Sequence, residues 1–140
     1  LDIYPLLNKG KSHGYGRVGN IEGCSLSQLA EITKQVLQLE RVRVYGTSRG
    51  KIERIALCGG AGADFIRDAS MKGAQVYITG DIKYHDAQLA YEEGIVLIDG
   101  THYGTERIIL PVLEKKLADY SGGKIKIEVY EDNSFNFECY

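Results

Sequence analysis

The sequence predicts an α/β lobe with three layers, in which a mixed, mainly parallel sheet carries helices on both faces. Two short apolar runs rich in β-branched residues, at 76–79 and 95–98, have the character of buried strands. Between them, residues 81–93 place apolar side chains at helical spacing, and Gly94 follows where helices commonly end. A crossover helix between two strands requires parallel pairing. With 140 residues and 44% apolar content, the chain fits one domain of ordinary core size.

The first half of the chain predicts a strand, a loop, a helix and two further strands. Residues 1–7 favour a strand that is broken at Pro5, which restricts it to a sheet edge or a strand end. Residues 8–19 are expected to form a glycine-rich, locally basic loop. Ser25 and Gln28 have the spacing of a capping box, which begins a helix ending near Glu40. The next strands are residues 42–45 and 52–58, and the turn-rich segment between them predicts a hairpin.

The second half begins with a glycine turn at residues 59–62, followed by a helix at 64–72. A helix start after such a turn favours anions, although Phe65 occupies the third glycine position of the dinucleotide fingerprint, which argues against a Rossmann cofactor site. The strands that end at Cys58, Thr79 and Ile98 are predicted to be parallel and central, and Cys58 is interpreted as a packing residue.

A last helix and a last strand complete the predicted fold. A helix is predicted after His102, and Pro111 predicts that this helix kinks or starts afresh at that residue. Alternation over residues 125–130 predicts a half-exposed final strand. The apolar side chains of this helix are expected to face inward: Ile108, Ile109, Val112, Leu113 and Leu117.

Composition limits the possible partners and compartments. A net charge of −2 gives no general basic surface for nucleic acid. Three cysteines without C-x-x-C spacing suggest neither a disulfide framework nor a thiolate zinc site, so we expect a reducing, cytoplasmic location. No apolar run reaches the roughly 18 residues of a spanning helix, so no membrane partner is expected.

Candidate functional residues follow the ends of the two central strands. Asp81 and His85 come after the first strand, and Asp99, His102 and Glu106 come after the second. Ligands of open parallel sheets bind outside the carboxyl ends of the strands, so these segments and the glycine turn are expected to meet at one edge.

His102 and Glu106 are the candidate metal ligands. Their spacing of four places both on one face of a helix, and an imidazole with a carboxylate suits zinc, manganese or iron. Two ligands are too few, so Asp81, His85, Asp99 or another part of the molecule must complete the set. A carboxylate in a first helical turn is also favoured by the helix dipole without any metal.

His85 is the candidate catalytic residue, and two readings of it stay open. In one, Asp81 is the N-cap of a helix and His85 is a solvated or hydrogen-bonded neighbour. In the other, His85 is a general acid or base, or an orienting group, in the same cleft as His102.

Several motifs together resemble the Nif-three-like family of GTP cyclohydrolase 1 type 2 homologues. TGDIKYH at residues 79–85 and LIDGTHYGTE at residues 97–106 are similar to its C-terminal half, and DIYPLLNKG, GYGRVG and LCGGAGADFI look like the same family. The resemblance implies one lobe of a two-lobed protein that assembles into ring-like oligomers, with a dinuclear metal centre between the lobes. It also implies that ligands of the H-x-x-x-E type are His102 and Glu106.

The chain departs from that family pattern at two points. The remaining family ligands, two adjacent histidines and an aspartate, lie in an N-terminal lobe, and this chain has no His-His pair. We therefore expect an incomplete centre, a missing N-terminal lobe as partner, and residues 1–140 as the C-terminal half, joined to other segments ahead of Leu1. Gly100 and Thr101 also replace the usual Ala-Gly before the metal histidine.

The expected function is metal-dependent, hydrolase-like chemistry on a nucleotide or a related phosphorylated heterocycle. Water bound to the metal would be the nucleophile. The alternative is a non-enzymatic regulatory or scaffold module in which the metal and the ring-like oligomer are structural. Either way, a lobe cut from such a protein should expose apolar surface and form a homo-oligomer.

Overall fold

The structure is a computed structural model that describes residues 3–4, as backbone only, and residues 14–130. The strands are β1 (Ile3–Tyr4), β2 (Arg17–Cys24), β3 (Arg43–Tyr45), β4 (Ile52–Ala61), β5 (Val76–Gly80) and β6 (Val96–Asp99). The helices are α1 (Leu26–Val36), α2 (Ile66–Met71), α3 (Tyr84–Glu92), α4 (His102–Arg107) and α5 (Leu110–Ser121), and a 3-10 turn at Ala63–Phe65 precedes α2. In the described part of the chain, no helix has both the length and the apolar character needed to cross a bilayer.

The described residues divide into two compact units, with the boundary between Glu106 and Arg107. The first unit contains one six-stranded sheet in the order β1-β2-β4-β5-β6-β3. β4, β5 and β6 are parallel neighbours, whereas β1, β2 and β3 pair antiparallel at the two margins. The predicted mixed sheet with a parallel centre is confirmed.

Helices cover both faces of this sheet, because alternate strand residues point to opposite sides. Tyr77 and Leu97 pack with Ile66 of α2 and Ala90 of α3 on one face. Val76 and Ile98, their neighbours in sequence, pack with Leu29 of α1 on the other face. The predicted three-layer arrangement is therefore confirmed.

The predicted hairpin between β3 and β4 is wrong. β3 pairs with β6, with Val44 opposite Ile98, while β4 lies between β2 and β5. The turn-rich residues 46–50 therefore connect two strands that do not pair, because β5 and β6 lie between β4 and β3 in the sheet. The predicted loop over residues 8–19 extends too far, since β2 already begins at Arg17. Residues 8–13 of that predicted loop lie outside the described part of the chain.

The predicted helix after Ser25 and the predicted glycine turn both have shifted boundaries. The capping box of Ser25 and Gln28 is confirmed, but α1 ends at Val36 and not near Glu40. Gln38 adopts a left-handed backbone, with φ of 54°, which α-helical backbone cannot continue through. β4 continues through the predicted glycine turn as far as Ala61, and the 3-10 turn at Ala63–Phe65 follows it. α2 therefore begins at Ile66 and not at the predicted residue 64.

In the second unit, one prediction is confirmed and two are wrong. α5 starts afresh at Leu110 with Pro111 in its first turn, as one of the two alternatives predicted. No residue of α5 is buried, so its apolar side chains do not face inward, and Ile108 and Ile109 just before it are also exposed. Residues 125–130 form no strand, because alternation alone supplies no pairing partner.

Candidate metal centre

Three segments meet at the carboxyl edge of the parallel strands. The N–H of Gly60, near the end of β4, donates to Thr105 Oγ1 of α4 over 2.8 Å. The N–H of Gly100, after β6, donates to the carbonyl of Thr79 in β5 over 2.8 Å. Asp81 Oδ2, after β5, also lies 2.8 Å from His102 Nδ1. These contacts confirm that the segments predicted to converge at this edge do so.

Local hydrogen bonds place His102 as the first residue of α4. Thr101 has a left-handed backbone with φ of 59°, which is uncommon for a residue with a side chain. Its N–H donates to Asp99 Oδ1 over 2.9 Å, and its Oγ1 accepts from the N–H of Gly104 over 3.0 Å. Asp99 is buried in this turn, where its carboxylate supports the start of α4.

The imidazole of His102 lies between two carboxylates. Nδ1 is 2.8 Å from Asp81 Oδ2, and Nε2 is 3.3 Å from Glu106 Oε1. The side chains of His102, Asp81 and Glu106 are 48%, 53% and 58% exposed, so solvent and small ligands reach all three.

This arrangement favours positive charge at the imidazole. The hydrogen bond with Asp81 is the main cause that raises the pKa of His102 above its ordinary value, and partial desolvation opposes it. The negative charges of Glu106 and Asp81 act in the same direction as the hydrogen bond. Two carboxylates around one imidazole stabilise a proton there, and by the same electrostatics they favour a metal cation.

The donor set fits two ligands of one divalent ion. Two ligands of a tetrahedral zinc, each about 2.0–2.1 Å from the metal, lie about 3.3 Å apart, which matches the separation of His102 Nε2 and Glu106 Oε1. A carboxylate on the second ring nitrogen, as Asp81 provides, is typical of metal-binding histidines because it fixes the tautomer. Among the described residues, no group of three histidine, cysteine, aspartate or glutamate side chains could hold an ion. Asp81 contacts Nδ1 and Glu106 contacts Nε2, on opposite sides of the His102 ring. Asp81 therefore does not join His102 and Glu106 as a third ligand of the same ion.

The proposed N-cap role of Asp81 is wrong. α3 begins at Tyr84 with Lys83 as N-cap, and the N–H of Lys83 donates to Asp86 Oδ2 over 2.8 Å. Asp81 precedes the helix with a left-handed backbone, φ of 57°, and its side chain turns to His102 instead. Sequence reasoning missed this contact, because its only trace is that both residues follow neighbouring parallel strands.

His85 is an exposed residue in the first turn of α3. Its ring packs edge-on against Tyr84, with ring centroids 5.4 Å apart. Both ring nitrogens of His102 already have carboxylate partners, so His85 is not the group that orients His102.

The glycine segment at the end of β4 differs from an open anion site. The N–H of Gly60 is bonded to Thr105, and the N–H of Gly62 donates to Thr79 Oγ1 over 3.0 Å. The Tyr77 hydroxyl donates to the carbonyl of Gly62 over 2.8 Å, and burial raises the pKa of this phenol, which keeps it a neutral donor. These two N–H groups are thus satisfied within the fold.

Comparisons with known proteins identify relatives across nearly the whole chain. A protein named GTP cyclohydrolase 1 type 2 homolog from Streptococcus pneumoniae is 41% identical over 102 residues, covering 70% of this chain and 38% of that protein. A protein of the same name from Bacillus subtilis is 32% identical over 142 aligned residues, covering 97% of this chain and 38% of that protein. This chain therefore spans well under half the length of these curated relatives.

The fold is similar to that of a solved structure described as a Bacillus cereus protein related to NIF3. The TM-score is 0.81 with 35% identity, and the match covers 98% of this chain and 39% of that one. The family model of Duf34/NIF3 (NGG1p interacting factor 3) matches residues 2–134. The chain belongs to the Duf34/NIF3 family.

Proposed function

We propose that this chain is the part of a metal-dependent, hydrolase-like protein that supplies His102 and Glu106 to a metal centre. The observation that carries the proposal is the placement of His102 between Asp81 and Glu106 at an exposed sheet edge. The proposed substrate is a nucleotide or a related phosphorylated heterocycle, which the name of the relatives, GTP cyclohydrolase 1 type 2 homolog, supports.

The residues of this chain have distinct proposed roles. His102 Nε2 and Glu106 Oε1 hold a zinc, manganese or iron ion, and Asp81 holds the proton on Nδ1 so that Nε2 keeps its lone pair. The bound ion would supply a water of lowered pKa as the nucleophile. His85, an exposed imidazole after β5, is the proposed general acid or base.

The proposed centre is dinuclear and needs further ligands, which we assign to an N-terminal lobe. The relatives have room for one, since this chain spans 38% of their length. With two of its ligands on this chain, the centre should bind metal weakly if at all here, because a catalytic zinc generally uses about three protein ligands.

A second candidate function is a non-enzymatic module in which metal and ring-like assembly are structural. The exposed apolar residues of α5 favour it, because contiguous apolar surface commonly marks an interface. They are Leu110, Val112, Leu113 and Leu117.

The metal proposal is tested by calorimetric titration of this chain with zinc and with manganese. We expect weak binding at most, and whatever binding exists should be lost in His102→Ala and in Glu106→Gln and retained in the control His85→Ala. Binding should also strengthen as pH rises through the pKa of His102, since only neutral imidazole coordinates. Tight binding that persists in His102→Ala would place the metal on other residues.

The choice between the two functions depends on turnover by the full-length protein loaded with metal. Hydrolysis of GTP that disappears in Glu106→Gln is the expected result for the enzyme. Metal binding without turnover of GTP or other nucleoside triphosphates would favour the structural module.

A further inference from the structure

We infer that Gly60 and Thr105 are positioning residues that hold His102 and Glu106 in register, an inference that rests on the proposed metal-binding function. Gly60 lies at the end of β4, whereas Thr105 lies between the two proposed ligands on α4. The pair links the glycine strand to the helical turn that carries the ligands.

The backbone around Gly60 needs partners from outside the ladder. The pairing of β4 with β5 shifts register between Leu57 and Ala61, so the intervening backbone groups leave the regular pattern. The N–H of Gly60 donates to Thr105 Oγ1 over 2.8 Å, and its carbonyl accepts from Thr79 Oγ1 over 3.0 Å. Two threonine hydroxyls thus replace strand partners at this one residue.

Thr105 fixes the helical turn as well as the strand. Its hydroxyl proton points to the carbonyls of Thr101 and His102, which lie 2.9 Å and 3.1 Å from Oγ1. The same oxygen accepts the N–H of Gly60. The carbonyl of Thr105 also lies close to Gly59, 3.1 Å from where a Cβ would stand. The turn that presents His102 and Glu106 therefore rests directly on the backbone of β4.

The absence of a side chain at Gly60 makes room for the ligand atoms. A Cβ at Gly60 would lie 2.5 Å from Glu106 Oε1 and 3.3 Å from His102 Nε2. The carboxylate is the end of a flexible side chain, so it would swing away from the imidazole and separate the two donors. Gly60 also has φ of +68°, which side-chain-bearing residues rarely adopt.

The chain supplies a matched control for each substitution. Gly94 has φ of +69° with nothing within 4 Å of a Cβ, so Gly94→Ala places a side chain at a similar positive φ without the contact. Thr33 donates its hydroxyl to the carbonyl of Leu29 over 2.8 Å inside α1, so Thr33→Val removes a comparable bond away from the site.

The test measures zinc affinity together with the absorption spectrum of bound cobalt, which reports ligand geometry. We expect Gly60→Ala and Thr105→Val to weaken zinc binding about tenfold or more and to change the spectrum, by analogy with other residues that support metal ligands. Thr105→Ser, which retains the hydroxyl, should restore both, and Gly94→Ala and Thr33→Val should match the wild type. Wild-type affinity and spectrum in Gly60→Ala and Thr105→Val would overturn the inference, as would equal losses in the two controls.

Measurements on the metal-free chain separate this inference from the proposed function. If the wild type binds no zinc, the two ligands do not suffice in this chain by itself, and the positioning role is judged by NMR. Thr105→Val should then accelerate amide hydrogen exchange at Gly60 and shift the His102 ring resonances, whereas Thr33→Val should do neither. Unchanged exchange and unchanged resonances in Thr105→Val would overturn the inference independently of metal.

Discussion

His102 combines two carboxylate contacts with solvent access, and this combination decides its chemistry. The 2.8 Å contact between Nδ1 and Asp81 Oδ2 occupies one ring nitrogen. The 3.3 Å separation between Nε2 and Glu106 Oε1 leaves the other nitrogen accessible to a cation. An imidazole buried to the same degree without carboxylates would lose its proton more easily, because desolvation disfavours the charged form. The carboxylates reverse that tendency here.

We predict that His102 titrates above its ordinary pKa in the metal-free chain and that Asp81→Asn lowers this pKa. The hydrogen bond with Asp81 is the main cause of the raised pKa, and the asparagine keeps the shape but removes the charge. NMR titration of the ring protons, assigned with His102→Ala, measures the change. Because the folded-state pKa is raised, protonation of His102 favours folding at low pH, and this contribution is lost as pH rises through the folded-state pKa.

Glu106→Gln provides a comparison for that titration. Glu106 raises the pKa of His102 mainly through its negative charge, and this effect is smaller than that of the Asp81 hydrogen bond. Glu106→Gln should therefore lower the pKa of His102 less than Asp81→Asn does. A His102 pKa that Asp81→Asn leaves unchanged would show that the contact does not persist in solution.

The elements of the fold differ in how far neighbouring residues specify them. α1 is specified locally: Ser25 Oγ accepts from the N–H of Gln28 over 3.2 Å, and Gln28 Oε1 accepts from the N–H of Ser25 over 2.9 Å. β2 and β3 are specified by their partners, because β2 contains glycines that weaken a strand pattern and β3 is three residues long. The sequence therefore predicted α1, gave no strand at β2, and located β3 correctly but paired it with β4 and not with β6.

We predict that Ser25→Ala lowers the free energy of unfolding by about 1 kcal/mol, the usual cost of losing an N-cap. Leu29, one turn further along α1, is buried against the sheet, so fraying of this helix start reaches the core. Urea unfolding followed by circular dichroism measures the change, with Ser25→Thr as the control that retains the hydroxyl. Equal stability of the alanine and threonine variants would mean that the cap contributes little.

At the scale of the whole chain, the second compact unit carries apolar side chains that are exposed. α5 has no buried residue, and Leu113 and Leu117 are 44% and 51% exposed. The two side chains are four apart and share one helix face, which is the pattern of a helix that packs against a partner.

We predict that the chain self-associates and that Leu113→Gln combined with Leu117→Gln reduces the association. The substitutions remove apolar surface that association would take out of water. Light scattering over a range of concentrations measures the mass, and Met71→Gln, an exposed apolar residue of α2, is the control. A monomer at all concentrations would contradict the prediction.

The sequence by itself determined the features that depend on neighbouring residues. Apolar runs rich in β-branched residues predicted β5 and β6, helical spacing predicted α3, and the capping box predicted the start of α1. Helical spacing also placed His102 and Glu106 on one face, where Nε2 and Oε1 lie 3.3 Å apart. Each of these features follows from residues within a few positions of one another, which a short stretch of chain displays directly.

Only the tertiary structure decided the contacts that join distant residues. Asp81 reaches His102 across 21 positions, Gly60 reaches Thr105 across 45, and β3 pairs with β6 and not with the strand that follows it. Such contacts leave no periodic trace in a single sequence, because they depend on which strands become neighbours in the sheet. The two proposed ligands were therefore readable from the sequence, whereas the residues that orient and seat them became visible only when the parallel strands brought their ends together.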